Sequence, residues 1–312
     1  MTEPATPPLY IAQRTARSEF VPIRGLQYHL RHWGERTEAQ PVPLVMVHGW
    51  MDVGASFQFV VDALQARGFS PWVVAPDWRG FGRTDSGGAD CFWFPDYLAD
   101  LDALLDHLSP DAPVDLLGHS MGGNIVMHYA GVRPGRVRRL INLEGFGLPA
   151  TVPAQAPGRL TQWLDELQAL RQGDKDLKTY PSADGVAQRL MKTNPRLSPA
   201  KAQWLAQHWA APDAQGRWRI LGEAAHKLVN PMLYRVDEAL ATWARIAVPV
   251  LAVEASHTNL ATWWQNRYTL DEYHQRLTQV PDVRTAVVQD AGHMLHHDQP
   301  EQLAGLLHDF LG

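Results

Sequence analysis

The sequence predicts an α/β protein: a doubly wound, mostly parallel sheet interrupted by an inserted helical cap. Three observations carry that expectation. Apolar, strand-like runs alternate with helical patterns from Val42 to Leu143 and again from Val248 to Leu311. The alternation stops at about Gly147 and resumes near Arg245, and the block between is helical and rich in Gln, Ala, Trp and Pro. Finally, the apolar run Val114 to Leu117 ends in Gly118-His119-Ser120-Met121-Gly122. Ile125, Val126, Tyr129 and Ala130 then fall at helical spacing, so a strand turns into a helix around a serine.

Taken in order, residues 1–16 are Pro- and Thr-rich and read as a flexible N-terminal tail. Phe20 to Ile23 and Leu26 to Trp33 are strands around a turn at Arg24-Gly25. Val42 to Val47 is apolar throughout, as a parallel strand buried on both faces should be. Phe57 to Arg67 is an amphipathic helix stopped by Gly68, and Pro71 to Ala75 is the next strand. Asp77 to Gly82 is a loop, Tyr97 to Leu108 a helix, and Leu140 to Leu143 a strand after the serine turn. In the inserted block, Leu160 to Gln172, Ser182 to Lys192 and Pro199 to Ala210 read as helices. Val248 to Val253 resumes the sheet, followed by a helix from Leu260 to Leu277, a strand from Arg284 to Val288 and a closing helix from Glu301 to Leu311. The expected domains are therefore a core of residues 17–147 and 246–312 and a cap of residues 148–245. Such an insertion belongs over the C-terminal edge of the sheet, where α/β sheets bind ligands.

Composition narrows the function. The chain has 312 residues and a net charge of −5 with the two signs well mixed, so no nucleic-acid partner is expected. The basic stretch Arg133 to Arg139 reads as a solvated turn before a strand. One cysteine, Cys91, excludes an intramolecular disulfide framework and suits a reducing compartment. Neither a secretion signal nor a membrane-spanning run is visible, so a cytoplasmic location with no membrane partner is expected. Oligomeric state is not readable. No cofactor is implied, because Gly80-Phe81-Gly82 lacks the third glycine and the downstream acid of a dinucleotide fingerprint. No metal site is expected either: His208, His226 and His257 are not at ligand spacing with a carboxylate or cysteine. Asp52 reads as a helix cap.

The chemistry begins at Ser120. The glycines around it allow a tight, strained turn that projects the hydroxyl at a helix N-terminus. The N–H of Met121, at that helix start, could donate to a developing oxyanion. A serine hydroxyl needs an adjacent base, and 14 histidines are available.

His48-Gly49-Trp50, the Asp77-to-Gly82 loop, Gly118 to Gly122 and Gly292-His293, in this order, resemble the α/β-hydrolase fold family, and within it a capped, serine-hydrolase-like esterase. The resemblance covers nearly the whole chain outside the tail. It implies that His293, after the last strand, is the base, and that the Trp50 N–H is the second oxyanion donor. Most of the family carries an aspartate after the strand corresponding to Val248 to Val253, but this chain reads Glu254-Ala255-Ser256 there. Some relatives place a glutamate after the preceding strand, which implies Glu144 as the triad acid, with Glu254 the second choice. His48, Gly49 and His119 would line the substrate site beside Trp163 and Trp204, with Trp209 and Trp218 as further candidate liners.

Together these readings predict a cofactor-free serine hydrolase cleaving an ester or related acyl bond of a small to medium, partly apolar molecule. A carbon–carbon bond hydrolase or a non-catalytic ligand receptor on the same fold would be its rivals.

Overall fold

The computed structural model describes residues 9–312, so only part of the expected tail can be followed; residues 1–8 lie outside the described residues. Tyr10 to Arg14 are bonded to the core: the Tyr10 hydroxyl and the Gln13 and Arg14 amides all donate to Asp62.

Two antiparallel strands, β1 (Arg17–Ile23) and β2 (Leu26–Trp33), meet at the tight turn Arg24-Gly25. The central strand β3 (Leu44–Val47) is buried along its whole length. It leads through a 3-10 turn at Gly54–Phe57 into α1 (Gln58–Ala66), ended by Gly68 at φ +78°. Then come β4 (Val73–Pro76), α2 (Phe94–Leu108), β5 (Val114–His119), α3 (Met121–Val132) and β6 (Val137–Leu143).

The inserted block contributes α4 (Ala156–Arg171), β7 (Thr179–Tyr180), α5 (Ala183–Thr193), α6 (Pro199–Trp209), β8 (Ala210–Pro212), β9 (Trp218–Ile220) and α7 (Val236–Trp243). The core resumes with β10 (Val250–Ala255), α8 (Leu260–Trp263), α9 (Leu270–Leu277), β11 (Val283–Val288), the short α10 (Leu295–Asp298) and α11 (Pro300–Leu311).

Eight strands form one sheet in the order β1-β2-β4-β3-β5-β6-β10-β11. From β4 to β11 every neighbouring pair is parallel, and β2 joins β4 antiparallel. Side chains alternate across the sheet, which gives two apolar layers. Val45, Val74, Leu116, Leu140 and Val250 pack on one face, with α2 and α3. Met46, Val73, Leu117, Ile141 and Leu251 pack on the other, with α1 and α11.

Three expectations change. The helix expected from Leu260 to Leu277 is two helices, because Gln265 and Asn266 take φ of +53° and +60°, which no helix tolerates. The inserted block also carries a small antiparallel sheet, β7-β9-β8, where only helices and breaks were expected. The basic stretch is more bonded than a solvated turn: Arg138 and Arg139 both grip the buried Asp115 of β5. No helix among the described residues is long and apolar enough to cross a membrane.

Candidate active site

Ser120 stands between β5 and α3 at φ 53°, ψ −114°. A non-glycine residue held there costs roughly 1–3 kcal/mol, which the surrounding contacts must offset. They do so by close backbone approach. A Cβ on Gly118 would lie 2.3 Å from the Gly122 oxygen, and one on Gly122 would lie 2.4 Å from the Val47 oxygen. The Ser120 N–H donates to Leu143 O at 2.8 Å, tying the turn to β6. The hydroxyl is thereby presented at the C-terminal edge of the sheet.

His293 meets it there. Its Nε2 lies 2.9 Å from Ser120 Oγ, and its Nδ1 lies 3.1 Å from Glu144 Oε2. The carboxylate accepts from Nδ1–H, which leaves Nε2 free to accept from the hydroxyl. Glu144 sits one residue past β6 at φ 56°, in a turn closed by Asn142, whose side chain bonds both the N–H and the C=O of Gly145. Glu144 is buried. Its Oε1 accepts from the Ala255 N–H at 2.7 Å, and its Oε2 also accepts from the Thr258 hydroxyl. Burial pushes its pKa above the ordinary glutamate value, opposed by His293, Thr258 and the Ala255 amide. Glu254 is not in this constellation; it bonds His274 Nε2 at 2.7 Å.

The Trp50 and Met121 amides have no hydrogen-bond acceptor among the described residues. Gly49 runs directly behind the nucleophile, where a Cβ would stand 3.0 Å from Ser120 Cβ. The Trp50 side chain is about half exposed, and its Nε1–H donates to His226 O of the inserted block at 3.0 Å. The His226 ring is clamped between Phe81 and Phe92, with both centroids at 3.6 Å. Burial lowers its pKa to about 3, so it is neutral.

Several expected liners lie elsewhere. His48 is fully buried and closed to ligands: its Nδ1–H donates to Gly49 O, and its Nε2 accepts from the Trp78 N–H at 2.9 Å. His119 is buried behind Ser120, and its Nε2–H donates to the His293 carbonyl at 2.8 Å. Trp204 packs edge-on against Tyr10 and Phe59, and Trp209 and Trp218 join the same satellite core, which α5 and α6 form with Phe59 of α1. Trp163 lies beside Cys91. Asp52 does not cap a helix through the expected N-terminal amides; its Oδ1 accepts from the Val53 N–H and the Ser56 hydroxyl.

Two site residues escaped the sequence reading. Thr258 braces the acid. Trp263, about half exposed, stands nearly perpendicular to the His293 ring with centroids 4.9 Å apart. It lies in the stretch read as one long helix, where periodicity gave it no distinction.

A family model described as the alpha/beta hydrolase fold matches residues 42–300. The chain belongs to the α/β-hydrolase family. It is 25% identical over 305 residues to a serine hydrolase-like protein of Danio rerio, covering 96% of this chain and 89% of that one. A cis-3-alkyl-4-alkyloxetan-2-one decarboxylase of Shewanella oneidensis is 36% identical over 121 residues, 37% of each chain. Among solved structures, the thioesterase domain from the curacin biosynthetic pathway superposes with a TM-score of 0.80 at 26% identity, covering 94% of this chain and 99% of that one. This chain is thus a hydrolase of the α/β fold, similar to proteins named serine hydrolase-like.

Proposed function

We propose that this hydrolase cleaves an ester or related acyl bond through an acyl-enzyme on Ser120, without a cofactor. The observation that carries the reading is the continuous hydrogen-bonded chain Ser120 Oγ–His293–Glu144, with links of 2.9 and 3.1 Å. Hydroxyl, imidazole and carboxylate in that order are what nucleophilic acyl transfer requires. His293 Nε2 takes the hydroxyl proton as Oγ bonds to the acyl carbon. The carbonyl π electrons move onto oxygen, and the Trp50 and Met121 N–H groups donate hydrogen bonds to the resulting oxyanion; one such donor is typically worth a factor of about 10²–10³ in kcat. As the tetrahedral species collapses, His293 gives its proton to the departing alkoxide or thiolate. Water, deprotonated by the same imidazole, then releases the acid and regenerates Ser120. Glu144 holds the imidazole in the required tautomer and stabilises its cation.

The substrate reading is a small to medium, partly apolar molecule. Support comes from the half-exposed indoles of Trp50 and Trp263 beside the reacting groups and from the neutral surroundings of His226. Residues 148–245 act as the cap over this site, with Trp50 as one point of attachment. A cytoplasmic location fits the composition. The experiment is pre-steady-state turnover of p-nitrophenyl esters of graded acyl length. A p-nitrophenol burst stoichiometric with enzyme, lost in Ser120→Ala, is expected. Turnover of a vinylogous diketone with no ester hydrolysis would instead favour carbon–carbon cleavage, and tight ligand binding without any turnover would favour a receptor.

A further inference from the structure

Behind the nucleophile elbow, three chemical groups converge for which acyl transfer has no use. Asp52, His119 and His296 are all buried, and one ligand atom from each lies within 4.8 Å of the others. They come from three separate places: the loop before α1, the end of β5 and the turn α10. Their free valences are of one kind. Asp52 Oδ1 takes both donors offered to that carboxylate, and Oδ2 has no hydrogen-bond partner. His119 spends its Nε2–H on the His293 carbonyl, so its Nδ1 carries a bare lone pair and is also unpartnered. Neither ring nitrogen of His296 has a partner, and its Nε2 is 3.8 Å from Asp52 Oδ2. Buried polar atoms of this sort are rare and need a reason.

We infer that Asp52, His119 and His296 form a buried binding site for a divalent transition-metal ion of the zinc class. Two imidazoles and a carboxylate are the borderline ligand set that suits such an ion. Three atoms within 4.8 Å of one another stand at most about 2.8 Å from a common centre; bonds of about 2.1 Å need each to move by less than about 1 Å. The outer shell is in place as well. A metal-bound imidazole typically donates its other N–H to a carbonyl or carboxylate, and His119 donates to His293 O. A bound ion would staple the three segments together and fix the backbone that carries His293. The site does not depend on what Ser120 does.

The test is zinc binding to the full chain, stripped with chelator and followed by calorimetry and by thermal unfolding. Cobalt(II) absorption in the visible serves as the spectroscopic probe. Wild type and Ser120→Ala should each bind one equivalent and unfold at higher temperature with zinc. Asp52→Asn and His296→Gln should lose at least tenfold in affinity and lose the thermal shift. Asp52→Asn keeps size and burial; should His296→Gln fail to fold, it carries the comparison with His257→Gln, an exposed histidine whose loss should change nothing. Binding that survives Asp52→Asn, or is abolished by His293→Gln alone, would overturn the site by moving the ion to the triad or the surface. No binding at tens of micromolar zinc would overturn it too and leave the space to water.

Discussion

Glu144 and Glu254 lie at the ends of neighbouring strands, and one turn decides between them. The Asn142–Gly145 clasp throws Glu144 to φ 56° and under His293, whereas Glu254 continues its strand and meets His274. Glu144→Gln preserves shape but presents an amide to Nδ1, so the wrong tautomer is favoured. It should lower kcat by about 10³–10⁴-fold, the scale seen when a triad acid becomes its amide. Glu254→Gln should stay within a few-fold of wild type, and the reverse pattern in ester kinetics would move the acid. At the glycines the cost falls on folding. Gly122→Ala forces a Cβ to 2.4 Å from a strand carbonyl, and should lower stability by about 3 kcal/mol or more, read by denaturant unfolding. Much of this was legible at the level of single residues. The glycine pattern marks Ser120, and Glu144 follows only through the family resemblance, with Glu254 left beside it as the second choice. What the motif could not carry was orientation: His119 sits in the elbow and His48 follows the neighbouring strand, yet the His48 ring is spent on Trp78 and Gly49 and the His119 ring points behind the elbow.

At the scale of elements, the core strands and the three inserted helices were readable, and the small sheet and the partners of the inserted block were not. Buried parallel strands announce themselves as unbroken apolar runs, and β3 and β5 do so. The inserted block is built from short pieces whose partners lie far away in sequence, so its tryptophans could not be assigned to a wall or a core. The small sheet depends on strands of two or three residues, below what periodicity detects. Asp52, His119 and His296 likewise come together only through the sheet, which is why ligand spacing along the chain was silent about them. Within the block, α4 buries only Leu167 and leaves Leu160 and Leu164 exposed. A helix with so little burial opens at low cost. Limited trypsin digestion should therefore cut first at the exposed Arg171, with peptide mass mapping as the readout. A first cut at the buried Arg276 of α9 would contradict that ranking. Trp50 links this block to the loop after β3 through His226 O, and Trp50→Phe removes that one bond. It should raise KM several-fold while kcat changes less, since the backbone amide remains.

For the molecule as a whole, the histidines set the response to acid. His32, His128 and His208 have pKa values lowered to about 4 and His226 to about 3, each chiefly by burial. In the unfolded chain they return to about 6.5. Between those values the unfolded state binds protons that the folded state refuses, so stability rises with pH. Their contribution is complete above about pH 6.5 and is lost as pH falls toward 4. Calorimetric scans should give a Tm that is flat near pH 7–8 and falls steadily from pH 6.5 to 4.5, and a Tm independent of pH across that range would contradict this burial. A histidine count foretold none of it, because burial is a property of the assembled fold.

The most direct test of the central claim is to trap the intermediate. The enzyme is mixed with a slow p-nitrophenyl ester, quenched in acid during the burst and mapped by peptide mass spectrometry. The account predicts one acyl adduct per chain, on the peptide that contains Ser120, and none in Ser120→Ala. An adduct on any other residue, or undiminished turnover by Ser120→Ala, would contradict it.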